Sequence, residues 1–162
     1  MDMSQEWTPP SWMYRDERPP DDSAYFENLT RCIFQAGLSW RMIGDKWPNF
    51  RAAFDDFDVR AVASYDDDDV GRLLGDAGIV RNRRKILATI DNAREFERIA
   101  GKHGSFRGWL DALDKSDNYA GVEKQLSSRF KHVGKSTARI FLYTVGEDIK
   151  YDEGAVGHHR RR

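Results

Sequence analysis

Phe130-Lys131-His132-Val133-Gly134-Lys135-Ser136-Thr137-Ala138-Arg139 joins two runs of helical apolar spacing, 122–129 and 135–145, through a short turn centred on Val133 and Gly134. In such a hairpin the backbone N–H groups of the turn and of the following helix start point outward, where they can hold a phosphate without reading a sequence. Lys131 and Lys135 add positive charge around them, and Arg139 lies one turn further on. The plain alternative is a structural hairpin whose glycine only permits the bend.

Upstream, Asp76-Ala77-Gly78-Ile79-Val80-Arg81-Asn82-Arg83-Arg84-Lys85-Ile86 repeats the composition of turn, glycine and basic helix start. Cations in the first turn of a helix oppose its dipole by roughly 0.3–1 kcal/mol each, so an anionic partner is a sensible compensation. A third corner, Gln35-Ala36-Gly37-Leu38-Ser39-Trp40, ends one helix and starts the next: Gly37 can take the left-handed conformation, Ser39 can cap, and Trp40 sits on the new first turn. This corner can hold a flat aromatic ligand, or it can be a tight turn around a packed Trp.

The remaining apolar spacing is helical as well. It predicts a helix from Ser23 capped by Asp22, one from Ser39 that stops before Pro48, and a shorter one through Phe50, Phe54 and Phe57. Short helices over 59–63 and 67–74 follow, then a long one from about Arg81 to Ala100 with Ile86, Ile90, Ala93 and Phe96 as its buried stripe. A helix carrying Phe106, Trp109, Leu110 and Leu113 and a polar loop over 114–119 lead into the hairpin. Strand alternation is absent, so the expected fold is all-α, a two-lobed helical bundle. Residues 1–22, with Pro9, Pro10, Pro19 and Pro20 around Trp12 and Tyr14, read as an extended arm packed on a body over 23–152, with 153–162 as a frayed tail.

The 162 residues suffice for one core without staples, and the single cysteine, Cys32, excludes an internal disulfide and any cysteine-pair zinc site. No segment has the length of a membrane span or the pattern of a signal peptide, so a cytoplasmic, nucleoid-associated protein is expected. A formal net charge of −1 hides segregation: Asp runs at 55–58 and 66–69 read as helix starts, while basic residues cluster at 81–85 and 129–139.

With these motifs in this order, the chain resembles the helix-hairpin-helix DNA glycosylase superfamily and, within it, the 3-methyladenine DNA glycosylase I family. The resemblance rests on Gln35 to Trp40, on Asp-Ala-Gly-Ile at 76–79 with Arg81, Arg83, Lys85 and Ile86, and on Phe130, Lys131, Val133 and Gly134. It implies a monofunctional enzyme that flips an alkylated purine, 3-methyladenine first, out of double-stranded DNA and hydrolyses its N-glycosidic bond as a monomer without a cofactor. Tyr14, Cys32, Gln35 and Trp40 would line the base pocket; Arg81, Arg83, Lys85, Lys131, Val133, Gly134 and Lys135 would hold the backbone. A catalytically idle damage-binding protein is the alternative.

Three departures matter. The family's base-binding glutamate, eight residues before the tryptophan, is Cys32, which has neither the charge nor the acceptor strength of a carboxylate. Asp152, soon after the hairpin, stands about where the superfamily places a catalytic aspartate, and Ser136 stands where strand-cleaving relatives carry a lysine. The family's zinc clip has Arg15 at one ligand position and Glu153 at another, so no metal is expected.

Overall fold

The computed structural model describes residues 8–150, and within them the chain is helical with no strand. α1 (Asp22–Gln35) and α5 (Arg83–His103) touch and form the centre. α2 (Trp40–Ala53), α3 (Val59–Ala63) and α4 (Asp67–Leu74) pack on one side; α6 (Phe106–Ala112), α7 (Ser116–Arg129) and α8 (Lys135–Thr144) pack on the other. One apolar core runs through both halves, with Phe26, Phe34, Phe96, Phe106 and Phe141 fully buried. Phe96 links the halves, meeting Phe26 at 5.5 Å and Phe106 at 4.6 Å between ring centroids.

The caps explain most helix limits. Asp58 and Asp66 each accept backbone N–H bonds at the starts of α3 and α4, so these acidic runs do serve as helix starts. α1 is capped by Asp21 instead of the expected Asp22, whose carboxylate reaches across to the Phe106 amide at the head of α6. α2 does not stop before Pro48 but continues to Ala53, because its face of Ile43, Trp47 and Phe50 is buried along its whole length. That burial, about 1.5–3 kcal/mol for each large apolar side chain, outweighs roughly 3 kcal/mol for an interior proline.

Phe57 is not helical in the right-handed sense. Asp55, Asp56 and Phe57 form a left-handed turn with φ of 53°, 54° and 59°, and Asp117, Asn118 and Tyr119 form a second at 56°, 51° and 69°. Asp and Asn tolerate this conformation, and tertiary bonds hold each turn in place. Tyr65 donates to Asp55 at 2.5 Å, while Asn118 exchanges two bonds with the backbone of Lys150 at 2.7 and 3.2 Å.

Candidate functional site

The 35–40 corner is built from its own residues and one borrowed cation. Gly37 takes φ of 83°, Ser39 Oγ accepts from the Met42 amide at 2.9 Å, and Gln35 Nε2 donates to the Leu38 carbonyl at 3.1 Å. Lys85 Nζ donates to the carbonyls of Ala36 at 2.9 Å and Phe34 at 3.2 Å, completing the end of α1. The ammonium of Lys85 is thus spent on the corner, and partial burial holds its pKa below the usual lysine value.

Trp40 is only 7 % exposed, because the indole of Trp12 lies on it with centroids 5.5 Å apart and planes 25° apart. Trp12, from the proline-rich arm, is the side chain that meets the Trp40 ring. The Arg31 guanidinium sits 4.3 Å from the Trp12 centroid and 5.0 Å from that of Trp47. Gly44 makes room: a Cβ there would lie 3.4 Å from Arg31 Nη2. Trp12 therefore touches both Trp40 and Arg31, and Arg31 touches Trp47 as well. Glu27 accepts from Trp47 Nε1 at 2.8 Å and pairs with Arg51 at 3.1 Å.

Cys32 is buried beside Thr144, and loss of water pushes its thiol up to about 12. It is a neutral packing group at physiological pH. Tyr14 donates its backbone N–H to the Thr144 carbonyl at 2.8 Å; burial and then Glu27 raise its phenol pKa, so it too stays neutral. Asp152 lies outside the described residues, but the chain leading to it is anchored at Lys150 by Asn118 and by Arg139 Nη2 at 3.0 Å.

At the basic edge Arg81, Arg83 and Arg84 are exposed and form no ion pair among the described residues. Asn82 caps α5 by accepting from the Lys85 amide at 3.1 Å, which leaves the arginine heads free at its first turn. The hairpin turn is held from below by Asn92 on α5, which accepts from the Lys131 amide at 2.7 Å and donates to its carbonyl at 3.1 Å. Glu95 binds Arg129 at 2.9 Å just before the turn. Val133 is buried and fixes the loop, whereas Lys131, Gly134 and Lys135 are exposed. α8 begins at Gly134 with no side-chain cap, so its first N–H groups have no side-chain acceptor. Arg139 is occupied by Glu123 and the Lys150 carbonyl.

His132 takes φ of 59°, the conformation a glycine would supply. Histidine enters this region more readily than most residues, at a cost of roughly 1–2 kcal/mol. His132→Gly is therefore expected to leave thermal stability unchanged or raise it by up to about 1 kcal/mol, and His132→Val to lower it by a similar amount, as read by thermal unfolding.

The arm is fastened to the end of α8 by arginines. Arg15 Nη1 donates to the carbonyls of Tyr143 at 2.5 Å and Glu147 at 3.2 Å, with its guanidinium 3.9 Å from the Tyr143 ring centroid. A cation bonded to two carbonyls cannot serve as a zinc ligand, so the residues at this end do not fit the family's clip.

A two-lobed helical body with an aromatic corner and a basic hairpin is a fold of the DNA glycosylase type. Solved 3-methyladenine DNA glycosylase I from Staphylococcus aureus superposes with a TM-score of 0.72 at 28 % identity, over 83 % of this chain and 80 % of that one. Residues 5–138 match the methyladenine glycosylase family, and the chain belongs to it. DNA-3-methyladenine glycosylase 1 of Escherichia coli is 46 % identical over 76 residues, a match spanning 47 % of this chain and 41 % of that protein. DNA-3-methyladenine glycosylase of Haemophilus influenzae is 29 % identical over 160 residues, spanning 88 % and 82 %. No helix among the described residues is long and apolar enough to cross a membrane.

Proposed function

We infer that this chain is a monofunctional DNA glycosylase that removes alkylated purines from double-stranded DNA. The observation that carries the reading is the Trp40 corner, a flat aromatic shelf joined through Lys85 to the basic start of α5. A simple DNA clamp needs the basic edge but no shelf. The exposed N–H groups at the start of α8, with Lys131 and Lys135, would take one backbone phosphate, and Arg81 and Arg83 a second region of the strand.

Flipping a base costs a few kcal/mol, and stacking returns roughly 1–3 kcal/mol. Alkylation at a purine ring nitrogen makes the base a good leaving group, so positioning and a carboxylate suffice for hydrolysis. Asp152 is the residue proposed to stabilise the developing charge on the sugar. Without a lysine at Ser136, no Schiff base forms and the strand stays intact.

The test is incubation with methylated duplex DNA followed by mass spectrometry of released bases and a gel for strand breaks. Free 3-methyladenine without nicking is the expected result, and Trp40→Ala should lower kcat/KM by about 10- to 100-fold. If no base is released while damaged duplex is still bound in preference to undamaged, the chain is a damage-binding protein instead.

A further inference from the structure

The Trp40 ring is already covered. It is almost wholly buried, and the indole of Trp12, itself partly exposed, is stacked on it with 5.5 Å between centroids. Two layers at van der Waals contact need about 7 Å, so no third ring fits between the two indoles. Indole and purine are both flat fused five- and six-membered rings, and a purine on this face of Trp40 has to take the indole's place.

The segment that carries Trp12 is held far more lightly than the arm behind it. From Met13 onward the arm is fixed: Met13 is buried, the Tyr14 amide donates to the Thr144 carbonyl at 2.8 Å, and Arg15 bonds the carbonyls of Tyr143 and Glu147. Residues 8–12 take part in two hydrogen bonds among the described residues. The Met13 amide donates to the Pro10 carbonyl at 3.0 Å, closing a turn with Ser11 and Trp12 at its middle, and Asn28 Nδ2 donates to the Trp12 carbonyl at 3.4 Å, longer than an ordinary N–H···O bond. Within the described residues the indole itself is held by packing and by its ring contacts with Trp40 and with the Arg31 guanidinium, 4.3 Å from its centroid, and by no hydrogen bond. The covered arrangement also leaves Trp40 Nε1 buried without an acceptor, an unfavourable state for a donor.

Resting on the glycosylase reading, we propose that Trp12 is an autoinhibitory gate: in the free protein its indole holds the stacking place on Trp40, and a purine enters by swinging the 8–12 segment outward about Met13. The contacts given up on opening do not depend on what replaces them. The gate therefore weakens the binding of every base by one common factor and leaves the order of preference among bases to the rest of the pocket.

Titration of 5-fluorotryptophan-labelled protein with the free bases 3-methyladenine and adenine, followed by fluorine NMR, reads occupancy and the state of Trp12 apart from turnover. The Trp12 resonance is assigned by its loss in Trp12→Phe. In the wild-type protein it should gain the light-to-heavy-water shift of an exposed indole as either base saturates. Trp12→Ala should tighten both bases by about 5- to 30-fold, the worth of one stacked pair and one cation–π contact. The ratio of the two dissociation constants should stay within about threefold of wild type. Trp12→Phe, which keeps a smaller ring, should fall between the two. Unchanged or weaker binding in Trp12→Ala, a ratio moved further than that, a Trp12 resonance that stays shielded in the saturated complex, or no binding to either protein would each overturn the gate. Thermal unfolding confirms that the variants are read as folded proteins, and should Trp12→Ala not fold, Trp12→Phe and the wild-type resonance decide. If both bases tighten in Trp12→Ala while methylated DNA releases none, the glycosylase reading alone fails.

Discussion

Gly146→Ala is expected to destabilise the protein by about 2–4 kcal/mol and to lower its melting temperature by roughly 5–15 °C. Two costs combine. Gly146 has φ of 85°, which a residue with a Cβ adopts only with strain, and the added Cβ would lie 2.7 Å from the Glu17 carbonyl oxygen and 3.0 Å from that of Tyr14. Both obstacles are backbone, so no rotamer change relieves them, and the arm has to move away from the end of α8. Trp12 rides on that arm. The variant should therefore show a more accessible Trp40, read as stronger acrylamide quenching of tryptophan fluorescence. A melting temperature within 1 °C of wild type would mean that the arm does not depend on this approach.

Glu147→Ala has the second large effect, about 2–4 kcal/mol by chemical denaturation. The Glu147 carboxylate is buried and accepts from Arg18 at 2.8 Å, Lys115 at 2.8 Å and the Tyr119 hydroxyl at 3.1 Å. Its loss leaves two cations sharing Asp111 alone, which softens the penalty without removing it. The same cluster gives the pH dependence a direction. The hydrogen bond from Arg18 holds the Asp111 carboxyl below its ordinary value, so its contribution is complete above about pH 4 and is lost as pH falls further. Hydrogen bonds and attraction from Glu147 and Asp111 outweigh desolvation and raise Lys115, so its contribution is complete below about pH 10 and is lost as pH rises past the elevated value. In Glu147→Ala the alkaline limb should move toward lower pH.

Helix positions could be read from spacing wherever a cap and an apolar stripe agree, as at α3, α4 and the buried face of α5. Pro48 misleads because a single-residue penalty is local, while the burial that overrides it comes from contacts with α1 and the turn after α2. Asp21 and Asp22 are neighbours with the same chemistry, and only the approach of α6 decides which of them caps α1.

Of the site, the corner geometry was visible in Gly37 and Ser39, because caps and left-handed glycines act through local backbone. Trp12 was not, since an aromatic in a proline-rich arm has no periodicity to show which surface it will meet. Arg31 reads as one more solvated charge on a helix until Trp12, Gly44 and Trp47 close around it. Asn92 is hidden for the same reason: a polar residue on a buried face gives no sign of which loop it will hold. Lys85 reads as a DNA-backbone residue from its basic neighbours, while in the fold its ammonium bonds the carbonyls at the end of α1.

That bond of Lys85 makes α5 a ruler. It ties the first turn of α5 to the carbonyls of Phe34 and Ala36 at the end of α1, while Asn92, about two turns along the same helix, sets the hairpin loop. The aromatic corner, the basic start of α5 and the hairpin loop are thereby spaced along a single rigid rod. Their separations are set when the chain folds, so under the proposed function the protein would meet its substrate with these three features already at fixed spacing.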